Sequence, residues 1–113
     1  VTITALIIPA SGSEPIREEE IIDDLPTMKD LVGGWIERVE LLGDGTLWLN
    51  EEGKIDGLPV NRRATRLAQL YGHPTSDVLV GQVVVVGPPT GGGDNSSVTP
   101  RVRRALHQLG YMD

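Results

Sequence analysis

The sequence predicts an α+β fold, with a single mixed or mainly antiparallel sheet of about five strands and two to three helices packed against it. Three observations lead there. Short β-branched runs such as TITALIIP (2–9) and VLVGQVVVVG (78–87) are separated by charged or Gly-rich turns. Two later segments repeat apolar residues at helical spacing behind a capping Asn or Thr. The core has to be aliphatic, because the 113 residues include no Phe and only 4% are aromatic, and an abundance of Val and Ile favours strands.

The elements follow in order along the chain. Residues 2–9 form a first strand. After a turn at Ser11 to Glu14, residues 15–22 (PIREEEII) return as a short charged strand. Such a strand suits a sheet edge, where charge discourages pairing with other chains. Residues 25–33 read as a short helix with Met28, Leu31 and Val32 on one face. Thr27 is its expected cap, with Asp30 at capping-box spacing, and Gly33-Gly34 its expected end. Residues 35–42 and 46–50 are strands joined by Gly43-Asp44-Gly45, a hairpin signal, and a further short strand is expected after Gly53. Asn61 caps a helix over 62–71. Its Ala64, Leu67, Ala68 and Tyr71 face the core, while Arg62, Arg63, Arg66 and Gln69 lie outside. Residues 78–87 are apolar on both faces apart from Gln82, as a central strand is. A flexible Gly/Pro/Ser loop over 88–98 leads to a last helix opened by Thr99-Pro100, with Val102, Ala105, Leu106 and Leu109 as its apolar stripe. The whole, 1–113, reads as a single domain.

Composition bounds the function. There is no Cys, which removes disulfides, zinc–thiolate sites and thiol catalysis. No apolar run approaches the roughly 20 residues that span a bilayer and no secretory pattern opens the chain, so the expected compartment is the cytoplasm, with no membrane partner. The net charge of −6 argues against a generic nucleic-acid coat. The charge is uneven: residues 14–24 hold six acids, and the two later helices hold three arginines each.

No catalytic constellation stands out, and an enzyme is not expected. The loop GPPTGGGDN (87–95) occupies the strand-to-helix position of a phosphate loop, but no Lys follows its glycines, two prolines remove donors and Asp94 would repel phosphate. His73 and His107 have no second His or carboxylate at ligand spacing, so both read as surface residues and neither metal nor cofactor is expected. No Ser stands in a nucleophile elbow. Glu51 and Glu52 are adjacent and would point to opposite faces of a strand, a poor start for a paired-carboxylate site. Arg62 and Arg63 open a helix whose N-terminus is already partly positive. They either hold an acidic partner or anion, or they pair with Glu51, Glu52 or Asp56 and pin the turn NEEGKIDGLPV to the helix; the second reading is preferred.

Four blocks carry a resemblance: Val32, Gly33, Gly34, Ile36 and Glu37; Asn50 to Lys54; Gly57 to Pro59 with Asn61 to Ala64; and Gly81 to Gly87. In this order they resemble a small domain-of-unknown-function family of bacteriophages, prophages, plasmids and actinobacteria. The resemblance spans about 2–87, with extension into the last helix left open, and the chain departs from it in the Gly/Pro loop near Gly91 and in the arginines of the last helix. It implies accessory genes of phage or mobile-element type and no established catalytic residue.

The expected function is therefore a non-enzymatic accessory protein that binds a host macromolecule, most of all a host protein, through charged patches. Arg62, Arg63, Arg66, Glu51 and Glu52 are its candidate partner- or anion-binding residues. Arg101, Arg103 and Arg104 form a candidate second basic patch. The alternatives are a nucleic-acid module on the arginine-bearing helix faces, a binder of a small anion near Arg62 and Arg63 or near Trp35, Trp48 and Tyr71, and acidic mimicry of DNA by residues 14–24. Pairing of an exposed edge at the first or second strand would make a homodimer.

Overall fold

The computed structural model describes residues 1–113 and contains one five-stranded sheet and three helices. The strands are β1 (Thr2–Ile8), β2 (Arg17–Ile22), β3 (Ile36–Glu40), β4 (Thr46–Asn50) and β5 (Val83–Val86). The helices are α1 (Leu25–Val32), α2 (Arg62–Leu70) and α3 (Pro100–Gln108). The sheet order is β2-β1-β5-β4-β3 and every neighbouring pair is antiparallel.

The period-2 alternation of side chains divides the core into two layers. Leu6, Ile8, Leu47, Leu49, Val83 and Val85 point to one face, where Ala64, Leu67 and Ala68 of α2 and Val102 and Leu106 of α3 cover them. Ile3, Ala5, Ile7, Val84 and Val86 point to the other, where Met28 and Val32 of α1 pack. Helices of eight or nine residues are marginal alone in water. Their buried side chains hold them here, with Met28, Val32, Leu67, Val102 and Leu106 each contributing about 1.5–3 kcal/mol by leaving water.

The strand and helix types match the sequence reading, and several local details differ. The cap of α1 is Asp24, whose carboxylate accepts from the Thr27 N–H at 2.8 Å; Thr27 is the residue capped and not the cap. Pro26 explains the shift, since a proline belongs in the first helical turn and the cap must precede it. The strand expected to begin at residue 78 begins at Val83, because Gly81 takes a φ of +77° that breaks the extended run. No strand follows Gly53: residues 51–57 are turns, and only Val60 makes an isolated bridge, to Val80.

The loop after β5 is tied to the sheet at Asn95. Its backbone N–H and side-chain NH2 donate to the Asp23 carboxylate at 2.9 and 2.7 Å, and its side-chain Oδ1 accepts from the Trp48 indole at 3.1 Å. Further along, Val98 N–H donates to the Thr4 carbonyl at 2.9 Å, so the chain continues beside β1 before α3 begins.

Candidate functional site

The segment NRRAT is a buried joint. Asn61 is fully buried and caps α2 by accepting from the Ala64 N–H at 3.1 Å. Its amide donates to the carbonyls of Ile8 at 2.8 Å and Gly81 at 2.9 Å, and its N–H donates to Leu79 at 2.8 Å. Thr65 donates its hydroxyl to the Asn61 carbonyl at 2.7 Å and accepts from the Leu79 N–H at 2.9 Å. The start of α2, the end of β1 and the approach to β5 are thereby locked together.

Arg63 belongs to this joint. It is 8% exposed, and its guanidinium donates to the carbonyls of Pro9 at 3.0 Å and Ser11 at 2.9 Å, leaving Nε without a partner. Neither Arg62 nor Arg63 makes an ion pair with Glu51, Glu52 or Asp56, so the pairing preferred from sequence is not how the turn is held. Arg62 and Arg66 are exposed. No cavity is lined by Arg62, Arg63 or Arg66, so the concave anion site considered there does not form. The aromatic alternative is divided as well. Tyr71 packs on the helix-pair face of the sheet and Trp48 on the α1 face, while Trp35 is exposed with the Lys29 ammonium 3.6 Å above its ring.

The second arginine group is partly tied down. Arg103 pairs with Glu18 of β2, Arg101 lies 4.0 Å from Asp44, and Arg104 is exposed with no ion pair. Asp44 is a small hub. Its carboxylate accepts the Tyr71 hydroxyl at 2.9 Å and its carbonyl accepts the Thr99 hydroxyl at 2.9 Å. Burial, reinforced by the hydrogen bond to Asp44, pushes the Tyr71 phenol up to about 12.

The largest concavity is a groove of about 600 Å³ beside β3. Four of the five residues of β3, Glu37 to Glu40, form one wall, and residues 71–74 and 77–80 form the other. Val39, Leu49 and Leu79 give it an apolar floor. The groove lies on the sheet face that α2 and α3 share, where residues 71–74 and 77–80 stand opposite β3. Its charges are mostly matched within the molecule. Asp77 is hydrogen-bonded to Lys54 and, at 2.9 Å, to His73, and Arg38 lies 3.3 Å from Glu40. The bond from Lys54 holds the Asp77 carboxyl below its ordinary value against the opposing effect of partial burial, and the bond to His73 adds to this. Glu37 and Glu51 line the groove without an ion-pair partner.

Of the residues expected from sequence, the structure brings Glu51 into this groove, leaves Glu52 in a turn where its N–H donates to Asn50 at 2.8 Å, and turns Arg63 inward. Sequence reasoning missed His73 paired with Asp77. The four-residue spacing was the available signal, but it lies outside any helix, where i and i+4 need not meet.

The blocks that carry the family resemblance meet in space. The Asn50 amide donates to the Val32 carbonyl at 3.4 Å, and a Cβ on Gly34 would sit 2.9 Å from that amide, so VGG and NEEG interlock. The GLPVNRRA block meets GQVVVVG through Asn61 and Gly81. The family profile described as a domain of unknown function (DUF3846) matches residues 3–110. The chain belongs to that family. No curated protein matches it in sequence. Among solved structures it is similar to part of the small RNA methyltransferase HEN1, with a TM-score of 0.61 and 14% identity over 95% of this chain. This chain spans 16% of that protein's length, and the likeness is one of fold. No helix of the DUF3846 chain is long and apolar enough to cross a membrane.

Proposed function

We propose that this protein is a small non-enzymatic accessory protein of phage or mobile-element type, acting in the cytoplasm of a bacterial host by binding a host protein in the β3 groove. The observation that carries the reading is the groove itself: an edge strand forms one wall, the floor is apolar, and two carboxylates, Glu37 and Glu51, have no partner within the chain. A binding site combines an apolar base with a few polar groups that fix orientation. The remaining titratable groups support binding over chemistry, since Lys54, His73 and Asp77 satisfy one another and Arg38 is matched by Glu40. Affinity capture of the tagged protein from host lysate, with and without nuclease, tests this. A near-stoichiometric protein that survives nuclease and is lost on Glu37→Lys plus Glu51→Lys is the expected result. Recovery that disappears with nuclease would overturn it.

A second reading, a nucleic-acid module, is favoured by Arg62, Arg66 and Arg104, which are exposed and free of ion pairs on the two helices that share one sheet face. It needs phosphate contacts and a steep salt dependence. The likeness to part of an RNA methyltransferase concerns fold alone and lends it no residue.

A further inference from the structure

We infer that β3 takes an extended, lysine- or arginine-bearing segment of the partner protein as a sixth strand of the sheet. The inference rests on the groove reading above and adds the mode of binding and the chemistry of the occupant.

The backbone decides which groups are free. Glu51 N–H donates to the Trp35 carbonyl at 2.8 Å, and Leu41 N–H donates to the Gly45 carbonyl at 2.9 Å. Hydrogen-bonded and non-hydrogen-bonded pairs alternate along an antiparallel ladder. With the register Glu37↔Leu49 and Val39↔Leu47, residues 35, 37, 39 and 41 therefore direct their N–H and C=O groups to β4. Ile36, Arg38 and Glu40 direct theirs out of the sheet, and β3 is the last strand in the order. An outer row of this kind is a template for one more strand.

The side chains select the occupant. Glu37 and Val39 share the groove side of β3 with Leu49 on its floor. A strand laid there would bring a basic side chain to Glu37 and Glu51 and an apolar one to Val39. The opposite edge is more fully engaged, with Glu20 its one glutamate that lacks a cationic partner. Of the three consecutive glutamates of β2, Glu18 is engaged by Arg103, Glu19 by Arg17 and Glu20 by the Thr4 hydroxyl.

The probe is a capped heptapeptide, Thr-Lys-Thr-Val-Thr-Lys-Thr, which as a strand presents its valine between two lysines on one face. It is titrated into the intact chain while amide shifts and hydrogen exchange are followed. Binding should protect the amides of Ile36, Arg38 and Glu40 and weaken with salt, and the peptide with Glu in place of Lys should not bind. Arg38→Pro removes one outward N–H and leaves the β4 ladder intact. With the fold unchanged by circular dichroism, it should weaken binding by about tenfold or more, the equivalent of one or two lost hydrogen bonds. A peptide N-methylated on the pairing edge makes the same test without altering the protein. Equal binding of the N-methylated and parent peptides, or no binding of the lysine peptide, would overturn strand addition. If a captured partner is lost on Glu37→Lys plus Glu51→Lys but kept on Arg38→Pro, the groove reading stands and strand addition falls. A concentration-dependent dimer abolished by Arg38→Pro would make the occupant a second copy of the chain and would also overturn the proposal.

Discussion

The side-chain amide of Asn61 donates to the Ile8 carbonyl at 2.8 Å, joining the start of α2 to the end of β1. The same residue caps its helix and reaches Gly81, so one buried amide serves three elements. Asn61→Asp separates these roles. Aspartate caps a helix as well as asparagine does, but it has no donor and would set a buried carboxylate against two carbonyls. The expected loss is at least about 3 kcal/mol, read by urea unfolding at neutral pH. A change within about 0.5 kcal/mol would mean that only the cap matters.

Arg62 and Arg63 are neighbours with opposite environments. Arg63→Ala strands the Pro9 and Ser11 carbonyls and removes a buried stem, with an expected cost of roughly 2–4 kcal/mol. Arg62→Ala alters an exposed side chain and should stay within about 0.5 kcal/mol. Equal losses in the two variants, measured by thermal unfolding, would contradict the burial asymmetry.

Tyr71 and Asp44 give a signature at high pH. The folded phenol titrates at about 12 against an ordinary value of 10.0, so the fold favours its protonated form. Its contribution to stability is present below pH 10 and is lost as pH rises from about 10 to about 12. Ultraviolet titration should find one tyrosine resisting ionisation until the higher value, and Tyr71→Phe should remove that component and cost about 1 kcal/mol at neutral pH.

Asp77 gives one at low pH. Its carboxyl is held below the ordinary 3.8 by Lys54 first, so the stability it contributes is complete above that value and declines as pH falls through the folded one. Lys54→Met should raise the Asp77 titration midpoint toward 3.8, as followed by carboxyl carbon NMR. An unchanged midpoint would show that Lys54 does not hold it.

Much of the architecture was legible because it is written locally. Thr99-Pro100 and Asn61 announce their helices through capping chemistry, and Gly43-Asp44-Gly45 announces its hairpin. What stayed hidden depends on partners distant in sequence. Nothing in the dipeptide Arg62-Arg63 tells which guanidinium turns inward, because the carbonyls that draw Arg63 in lie 52 and 54 residues earlier. Asn95 read as one polar residue in a loop of them, and its clamp on Asp23 and Trp48 exists only once three segments converge. The β3 groove was illegible for the same reason. Its walls come from 37–40 and from 71–74 and 77–80, and among its residues only Glu51 and Tyr71 had been marked as candidates, for different sites.

The openness of the β3 edge is the premise on which both the groove and the added strand depend, and it can be measured without any ligand. Amide hydrogen exchange of the isolated protein, resolved by residue, should find Glu37 and Val39 at least about a hundredfold slower than Ile36, Arg38 and Glu40, since only the first two lie in the β4 ladder. Slow exchange at all five positions would mean that the outward row is already paired, and would contradict the account.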